Sequence, residues 1–542
     1  MSDAAKAAIT NIFVLMLENH SFDNMLGRSG IPGLRVAPTD ASNSYDGQTY
    51  KVKSPAPWCM TTDPGHEYLD ALQQLCGADA FGRFVKKCRK EARGFIECAG
   101  CSYPPVDNSG FASSYATSVS EDTGTPQPGD IGDIMACFDT PVQLPVLFTL
   151  ATEFAVCDAW HSALPGPTWP NRFFVHGASS SGMNISPSFG DEAEWEAWRG
   201  LGFEYANGSI YDALDARQHQ WKLYQDKDNG FSDRPSHWDQ GGWISQVAAI
   251  KNIGLERIDN LTKFADDINA RDHDGKPSYI RYPYTFIEPN FGASFFSPQP
   301  GGDGKGPRYT GGSSQHPEDN CYGGEGLIKY VYETIRNSPV WETSLLIIVY
   351  DEHGGFYDSA GIPEAAEPGD HIHAKDRKLN EYCFNFSVLG VRVPAVIVSP
   401  WIAKGHIDHT RYDHSSVIAT LTRKWGMEPL TKRDTAAADL WPLLTESAPR
   451  SDCPTTLPDP VLPPRGSDYE TVAEPDNRHE QPLPRSGNAV GFLHVLLKTE
   501  IELAQKCGGR AAEDIIADFR KIETHADASA YVGKVKAMLD AL

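Results

Sequence analysis

The chain predicts an α/β fold with a mostly parallel central sheet, on three observations. Apolar runs of strand length occur at 11–17, 345–350 and 393–399. Stretches with helical spacing at 66–76, 140–153, 170–177, 324–337 and 414–425 alternate with them, the pattern of an α/β chain. The strand-like runs also lack a polar face. Leu345-Leu346-Ile347-Ile348-Val349-Tyr350 is continuously apolar or aromatic, as a strand covered on both sides of a parallel or mixed sheet must be. A length of 542 residues suits one large domain with insertions or two to three domains, and 40% hydrophobic with 22% charged residues indicates neither disorder nor a fibrous repeat.

Along the chain, Met1–Thr10 runs into Asn11-Ile12-Phe13-Val14-Leu15-Met16-Leu17. The apolar stretch is too short for a signal peptide, lacks an A-x-A-type cleavage site and meets Glu18 at once, so it reads as a first buried strand. No segment reaches the ~18 apolar residues of a membrane span. The expectation is a soluble protein, cytoplasmic as written or exported without a recognisable cleaved signal. The stretch 185–275, rich in Trp, Asp and Asn, reads as a less regular insertion, and the glycine-rich 296–315 as a loop ending at His316; together they suggest a cap over about 185–315. Prolines clustered from Cys453 onward mark a linker or wrapping arm over 451–486. Beyond it, 489–506 and 511–541 read as amphipathic helices of a small C-terminal region, 487–542.

Charge and cysteine content narrow the class. Forty-eight basic against 72 acidic residues give a formal charge of −24, which argues against a nucleic-acid binder and against electrostatic anchoring on anionic membrane. An anionic substrate would need local compensation, which a bound cation and histidines supply. Of 11 cysteines, Cys59, Cys76, Cys88, Cys98 and Cys101 cluster, and Cys98/Cys101 form a C-x2-C pair. A zinc knuckle and disulfides in an insertion both remain open, and Cys137, Cys157, Cys321 and Cys383 read as scattered buried thiols.

The chemistry collects where strands end. The run 345–350 stops at Asp351-Glu352-His353-Gly354-Gly355, and the run 11–17 at Glu18-Asn19-His20-Ser21. If the two strands are parallel neighbours, Glu18, Asn19, Asp351 and Glu352 share one layer and offer a hard, all-oxygen set for a divalent metal. The bland readings are turn residues for the acids and helix caps for Asn19 and Ser21. His353 is left out of the ligand set because strand alternation would turn it from Glu352's side. Leu164-Pro165-Gly166-Pro167-Thr168-Trp169-Pro170-Asn171-Arg172 reads as a turn feeding a helix, with Thr168 near the N-cap. Its hydroxyl is either a cap or, beside a metal and helix-end amides, a nucleophile. His66, His316 and His414 lie in polar loop words and could ligate the metal, hold a phosphoryl oxygen, protonate a leaving alkoxide or simply be structural.

These words, with Asp63-Pro64-Gly65-His66, Phe286-Ile287-Glu288-Pro289, His316-Pro317 and Val391-Arg392-Val393-Pro394 through Ile402, occur in the order found in a known family. Over roughly residues 10–440 the chain resembles the phosphoesterases that include bacterial phospholipases C, plant non-specific phospholipases C and acid phosphatases of the alkaline phosphatase superfamily. The resemblance implies an alkaline-phosphatase-like three-layer sandwich over 1–450. It implies Thr168 as the nucleophile forming a phosphothreonine intermediate, and Glu18, Asn19, Asp351, Glu352 and the Thr168 oxygen as metal ligands. His66 and His316 would contact the phosphoryl group, one of them protonating the leaving group. His414, Asn171 and Arg172 are carried over as substrate-binding residues. His20 stands where plant relatives often have Arg, and Trp169 where some relatives have a polar residue. The implied metal is a divalent ion among Ca, Zn, Mg, Mn and Fe. The implied activity is phospholipase C cleavage of a glycerophospholipid to diacylglycerol and a phosphorylated head group, with transient contact at a membrane surface. Two alternatives stand beside it: an acid phosphatase acting on small monoesters, and a catalytically silent binding or effector module. Trp195, Trp198, Trp221, Trp238, Trp243, Phe291, Phe295 and Phe296 tilt the reading towards lipid, although core packing would use the same residues.

Overall fold

A computed structural model of the protein describes residues 3–91, 102–118, 125–188, 202–232, 241–292, 311–370, 379–464, 480 and 482–542. The expectations on Cys98, Cys101, Trp195, Trp198, Trp238, Phe295 and Phe296 lie outside these residues. Ten strands are present among the described residues: β1 (Asn11–Leu17), β2 (Ser42–Tyr45), β3 (Gln48–Lys51), β4 (Ala155–Cys157), β5 (Trp221–Gln225), β6 (Asp259–Asn260), β7 (Tyr284–Glu288), β8 (Ser344–Tyr350), β9 (Ala395–Val398) and β10 (His406–Asp408). β2 and β3 form a separate antiparallel hairpin. The other eight form one sheet in the order β10-β4-β9-β8-β1-β7-β5-β6.

The order follows from residue type. β1, β7, β8 and β9 are buried along their whole length and occupy the middle, where both faces are covered. The edges fall to the short, polar β6 and β10, which are only half-buried. All pairings are parallel except those of β9, which runs against both β8 and β4. β1 lies between β7 and β8, with Leu17 level with Tyr350 and Leu15 with Ile287. The chain therefore leaves β1 and β8 side by side, at the end where Glu18 and Asp351 begin.

Helices appear where their spacing placed them, with shifted ends. Thr168–Gly177, Tyr322–Arg336 and Ser415–Trp425 match closely. The 140–153 stretch is two helices, Thr140–Gln143 and Pro145–Glu153, because Pro145 starts a new first turn. The helix predicted at 66–76 runs on from Tyr68 to Glu91 through a break at Gly77, whose φ of 73° lies in the left-handed region. Within the proposed cap, β5, β6 and β7 belong to the main sheet. Their shortness, and the Trp, Asp and Asn around them, hid the strand pattern. The C-terminal region likewise shares the main core: Phe492, Leu493, Val495, Leu496, Leu497 and Ile501 of helix Asn488–Cys507 are buried in the same apolar cluster as β1 and β8. Residues 511–541 form two helices, Ala512–Phe519 and His525–Asp540. The proline-rich segment packs along Tyr322–Arg336, with Tyr332 and Arg336 donating to the carbonyls of Pro454 and Cys453. No helix among the described residues is long and apolar enough to cross a membrane. Cys383 is disulfide-bonded, not a free thiol as expected, whereas Cys137, Cys157 and Cys321 are buried thiols.

Candidate active site

The acids expected to gather do gather. Glu18 follows β1 and is fastened there by its N–H, which donates to the Ser314 carbonyl at 2.9 Å. Asn19 takes φ 55°, a left-handed turn that Asn tolerates better than most residues. Its N–H donates to Asp351 Oδ1 at 3.1 Å, and Glu352 N–H donates to the same oxygen at 2.7 Å. The end of β1 and the end of β8 are thus tied through one carboxylate. Gly354 and Gly355 permit this approach. Both have positive φ, and a Cβ on Gly354 would lie 2.0 Å from the Asn19 carbonyl oxygen, one on Gly355 2.8 Å from that of Gly65.

Thr168 is the first residue of helix Thr168–Gly177, with Pro167 and not Thr168 at the N-cap. Freed from capping, its hydroxyl donates to Asn19 Oδ1 at 3.3 Å. The first-turn N–H groups of that helix lack intrahelical acceptors, which suits an anion at this point. Ser21, by contrast, does cap a helix, accepting from Asn24 N–H at 3.2 Å.

Electrostatically the site is an excess of buried acid around one buried cation. Burial, with Asp351 and Glu352 alongside, pushes the Glu18 carboxyl up to about 8 against the pull of Arg172. Burial and the neighbouring Glu352 likewise raise Asp351 to about 6. Glu18 Oε2 and Glu352 Oε1 are buried without a hydrogen-bond donor. Unpaired acceptors of this kind, on hard oxygen ligands, fit a divalent cation. The carboxylates are nevertheless set wider than a closed shell. Among the described residues, the trio of potential ligands whose atoms all lie within 4.8 Å of one another is the exposed Asp272, His273 and Asp274 of a turn, not Glu18, Asp351 and Glu352.

Arg172, expected at the substrate, is committed to the protein. Its Nε donates to Asp351 Oδ2 at 2.8 Å, Nη1 to Glu288 Oε1 at 3.3 Å, and Nη2 to the carbonyls of Met16 and Leu17. Burial works against its charge, and Asp351, Glu18 and Glu288 more than offset this. Asn171 is also turned inward: its amide donates to the Leu164, Gly166 and Pro167 carbonyls and its oxygen accepts from Leu164 N–H, which staples the turn before Thr168. His414 supports Asp351 from behind, with Nε2 at 2.6 Å from the Asp351 carbonyl and Nδ1 accepting from Trp160 Nε1 at 3.3 Å. Burial holds its ring pKa down to about 4. All three side chains orient other site residues.

His66 and His316 lie with ring centroids 6.3 Å apart and nearly perpendicular, both buried. The His316 loop is bound to the β1 end through the Ser314 carbonyl and through His20, whose Nε2 lies 2.8 Å from the Gln315 carbonyl. His20 thus packs inward, stacked on Phe356, and does not take a substrate-facing position. Several residues went unassigned in the sequence. Asp63 lies between the two histidines, 3.9 Å from His66 Nδ1 and 3.8 Å from His316 Nε2. Glu288 is the last residue of β7 and Asp351 directly follows β8, and the same strand-end signal could have found it. His353 was turned away on the alternation argument, yet its Nδ1 lies 3.3 Å from Glu352 Oε2. β8 has ended at Tyr350, so alternation no longer governs these side chains. His353 Nε2 meets Gln74 Oε1 at 2.7 Å, and Gln74 Nε2 donates to the Gly65 carbonyl at 2.6 Å, linking the acid pair to the loop of His66.

Comparison with known proteins agrees with this arrangement of motifs. The Phosphoesterase family model matches residues 9–428. The chain is 29% identical over 481 residues to non-specific phospholipase C3 of Arabidopsis thaliana, covering 84% of this chain and 77% of that protein. It is 30% identical over 484 residues to non-specific phospholipase C6 of the same plant, covering 85% and 77%. A non-hemolytic phospholipase C of Burkholderia pseudomallei (strain K96243) is 27% identical over 293 residues, 51% of this chain and 39% of that protein. Among solved structures, the phosphonate monoester hydrolase of Agrobacterium radiobacter aligns with a TM-score of 0.27 and 13% identity, over 56% of this chain and 72% of that one. The family match spans the sheet, both strand-end acid groups, Thr168 and both paired histidines, and the chain belongs to the phosphoesterase family.

Proposed function

We propose that this phosphoesterase is a phospholipase C that cleaves a glycerophospholipid through a covalent phosphoester on Thr168. The observation that carries the reading is the Thr168 hydroxyl, first in its helix and bonded to Asn19 beside the buried carboxylates at the ends of β1 and β8. The names of the relatives, which match over most of the chain, support the lipid substrate.

Glu18, Asn19, Asp351 and Glu352, with the Thr168 oxygen, would hold a divalent metal. Such an ion, when bound, supplies Lewis-acid stabilisation of phosphoryl oxygens and lowers the pKa of the hydroxyl. Asn19 orients the Thr168 hydroxyl, and the first-turn amides of its helix face the phosphoryl oxygens. Thr168 Oγ1 attacks phosphorus, forming an O–P bond as the P–O bond to the diacylglycerol breaks. His66 or His316, having taken up the proton that the Thr168 hydroxyl releases, gives it to the departing alkoxide. Water then attacks the same phosphorus, a proton passes back to the Thr168 oxygen, and the phosphorylated head group leaves. Arg172, Asn171 and His414 hold Asp351 and the Thr168 turn in register throughout.

A second reading, hydrolysis of small phosphomonoesters, draws support from Trp243 and Phe291, which are buried in the core and do not line an open apolar funnel. A panel of phosphatidylcholine, phosphatidylethanolamine, sphingomyelin and small monoesters, assayed with Thr168→Ala beside the native chain, decides between them. The lipid reading requires phosphorylated head-group release from a diester substrate, lost in Thr168→Ala by about 10³-fold or more. Hydrolysis confined to monoesters gives the phosphatase. Hydrolysis of nothing, across several divalent metals and pH 5–8, gives the silent binding module.

A further inference from the structure

We propose that Asp63 is a positioning residue, the shared carboxylate neighbour that carries the common counter-charge of His66 and His316. The inference rests on the reading above, in which those two rings meet the phosphoryl group and the departing alkoxide.

Backbone partners set the hydrogens on both rings. His66 Nδ1 lies 2.9 Å from the Pro64 carbonyl, an acceptor only, so Nδ1 carries the hydrogen and Nε2 keeps its lone pair in the neutral ring. His316 Nδ1 accepts from Glu318 N–H at 3.4 Å, which puts the His316 hydrogen on Nε2. The two nitrogens that bear hydrogen are the two nearest Asp63 Oδ1, at 3.9 and 3.8 Å. One carboxylate oxygen therefore lies within 4 Å of a ring nitrogen of each histidine, an electrostatic contact longer than a hydrogen bond. The motif spacing makes this geometry local. Asp63 and His66 flank Pro64-Gly65 in one loop, and Met60 N–H donates to the Pro317 carbonyl at 2.7 Å, which brings the His316 loop to it.

Charge gives the arrangement its purpose. His316 faces two other imidazoles, His66 and His20, and burial with these neighbours sets its ring well below the usual histidine range. His66 also interacts with Glu67 and Asp70, and burial raises both of those carboxyls, Glu67 to about 7. Asp63 is the carboxylate between the rings. A proton arriving on either imidazole in this buried pair has Asp63 as its shared neighbour of opposite charge, within the range where such a neighbour moves a pKa by one unit or more. A carboxylate behind a histidine elsewhere stabilises the imidazolium by the same electrostatic attraction.

Asp63→Asn keeps the shape and removes the charge. In the native protein and this variant, ring ¹⁵N–¹H NMR follows the titration and tautomers of His66 and His316, a readout independent of turnover. The expected result is a fall of about one unit or more in the apparent pKa of the pair. With a chromogenic phosphodiester, kcat should fall about 10-fold or more with KM within about two-fold, and the alkaline limb of the pH–kcat profile should move to lower pH. Asp63→Glu should restore the limb. An unchanged titration, including one in which neither ring takes up a proton in either protein, overturns the proposal. So does a variant whose kcat falls while its pH profile stays put, because loop support alone would do that. If Asp63→Asn does not fold, Asp63→Ser takes its place in both measurements. A native chain that hydrolyses no ester, or a fully active Thr168→Ala, refutes the functional reading instead, and the NMR titration still decides the role of Asp63.

Discussion

At the scale of single residues, the site is governed by how few cations meet its buried acids. Arg172 is the guanidinium that binds Asp351 and Glu288 at once, and neither acid has water to fall back on. Arg172→Ala should cost about 3–5 kcal/mol, because removing one partner of a buried ion pair leaves the others uncompensated. Lys should not restore the loss, since an ammonium cannot reproduce the fork that reaches Asp351, Glu288 and two carbonyls. Urea unfolding at neutral pH measures both. A second residue sets acid stability. His161 Nδ1 lies 2.9 Å from the Gly390 carbonyl, and burial lowers its ring pKa to about 4. The unfolded chain takes up that proton near the ordinary value of ~6.5. Between about 6.5 and 4 the unfolded state holds more protons, so stability falls as pH falls through this window. His161→Asn keeps a donor for Gly390 without a titrating group and should flatten that part of the Tm–pH curve, by on the order of 1–3 kcal/mol at pH 4.

At the scale of elements, the site is a junction of strand ends, and how much of it was legible depended on element length. β1 and β8 declared themselves because a strand buried on both faces needs an unbroken apolar run, and the acids that stop the run then stand out. Their parallel adjacency, the condition on which the shared layer of acids rested, is what the sheet contains. β5 and β6 were hidden, being five and two residues long with polar residues among them. The reversed direction of β9 left no mark, since Ala395–Val398 is apolar whichever way it runs. Among site residues, types and places were readable but orientations were not. Arg172, Asn171 and His414 stand in the right words and turn inward, because the buried groups they satisfy come from segments far off in sequence. The glycine turn after β8 is the element most open to test. Gly354→Ala adds a Cβ at positive φ, worth about 1–2 kcal/mol, and drives it into the Asn19 carbonyl oxygen. The expected outcome is a lower Tm together with at least about a 10-fold loss of kcat, read by thermal unfolding and by diester hydrolysis.

At the scale of the whole molecule, the C-terminal helices are part of the fold that builds the site. Gly491 lies so close to the Trp169 indole that a Cβ there would sit 2.2 Å from it, and Phe492 meets the same indole at 5.6 Å. Trp169 adjoins Thr168, so the last helices buttress the helix that carries the proposed nucleophile. Leu493, Val495, Leu496, Leu497 and Ile501 are fully buried. At about 1.5–3 kcal/mol each, their burial is on the order of 10 kcal/mol, comparable with the whole stability of a typical domain. A chain ending at Ser486 should therefore lose its cooperative thermal transition, measured by circular dichroism, and lose solubility with it. The excess of buried acid at the strand ends makes a further demand on the whole protein. Removal of divalent metal by a chelator should abolish ester hydrolysis, and returning a divalent ion should restore it, while Glu18→Gln should weaken the restoration by about 10-fold or more.

The central claim is that Thr168 carries the phosphorus. Acid quenching of the protein during turnover of a phosphodiester, followed by peptide mass spectrometry, tests it most directly. A phosphoester is expected on the peptide containing Thr168, present during turnover and absent from Thr168→Ala. A phosphoester on another residue, or full turnover by Thr168→Ala, would contradict it.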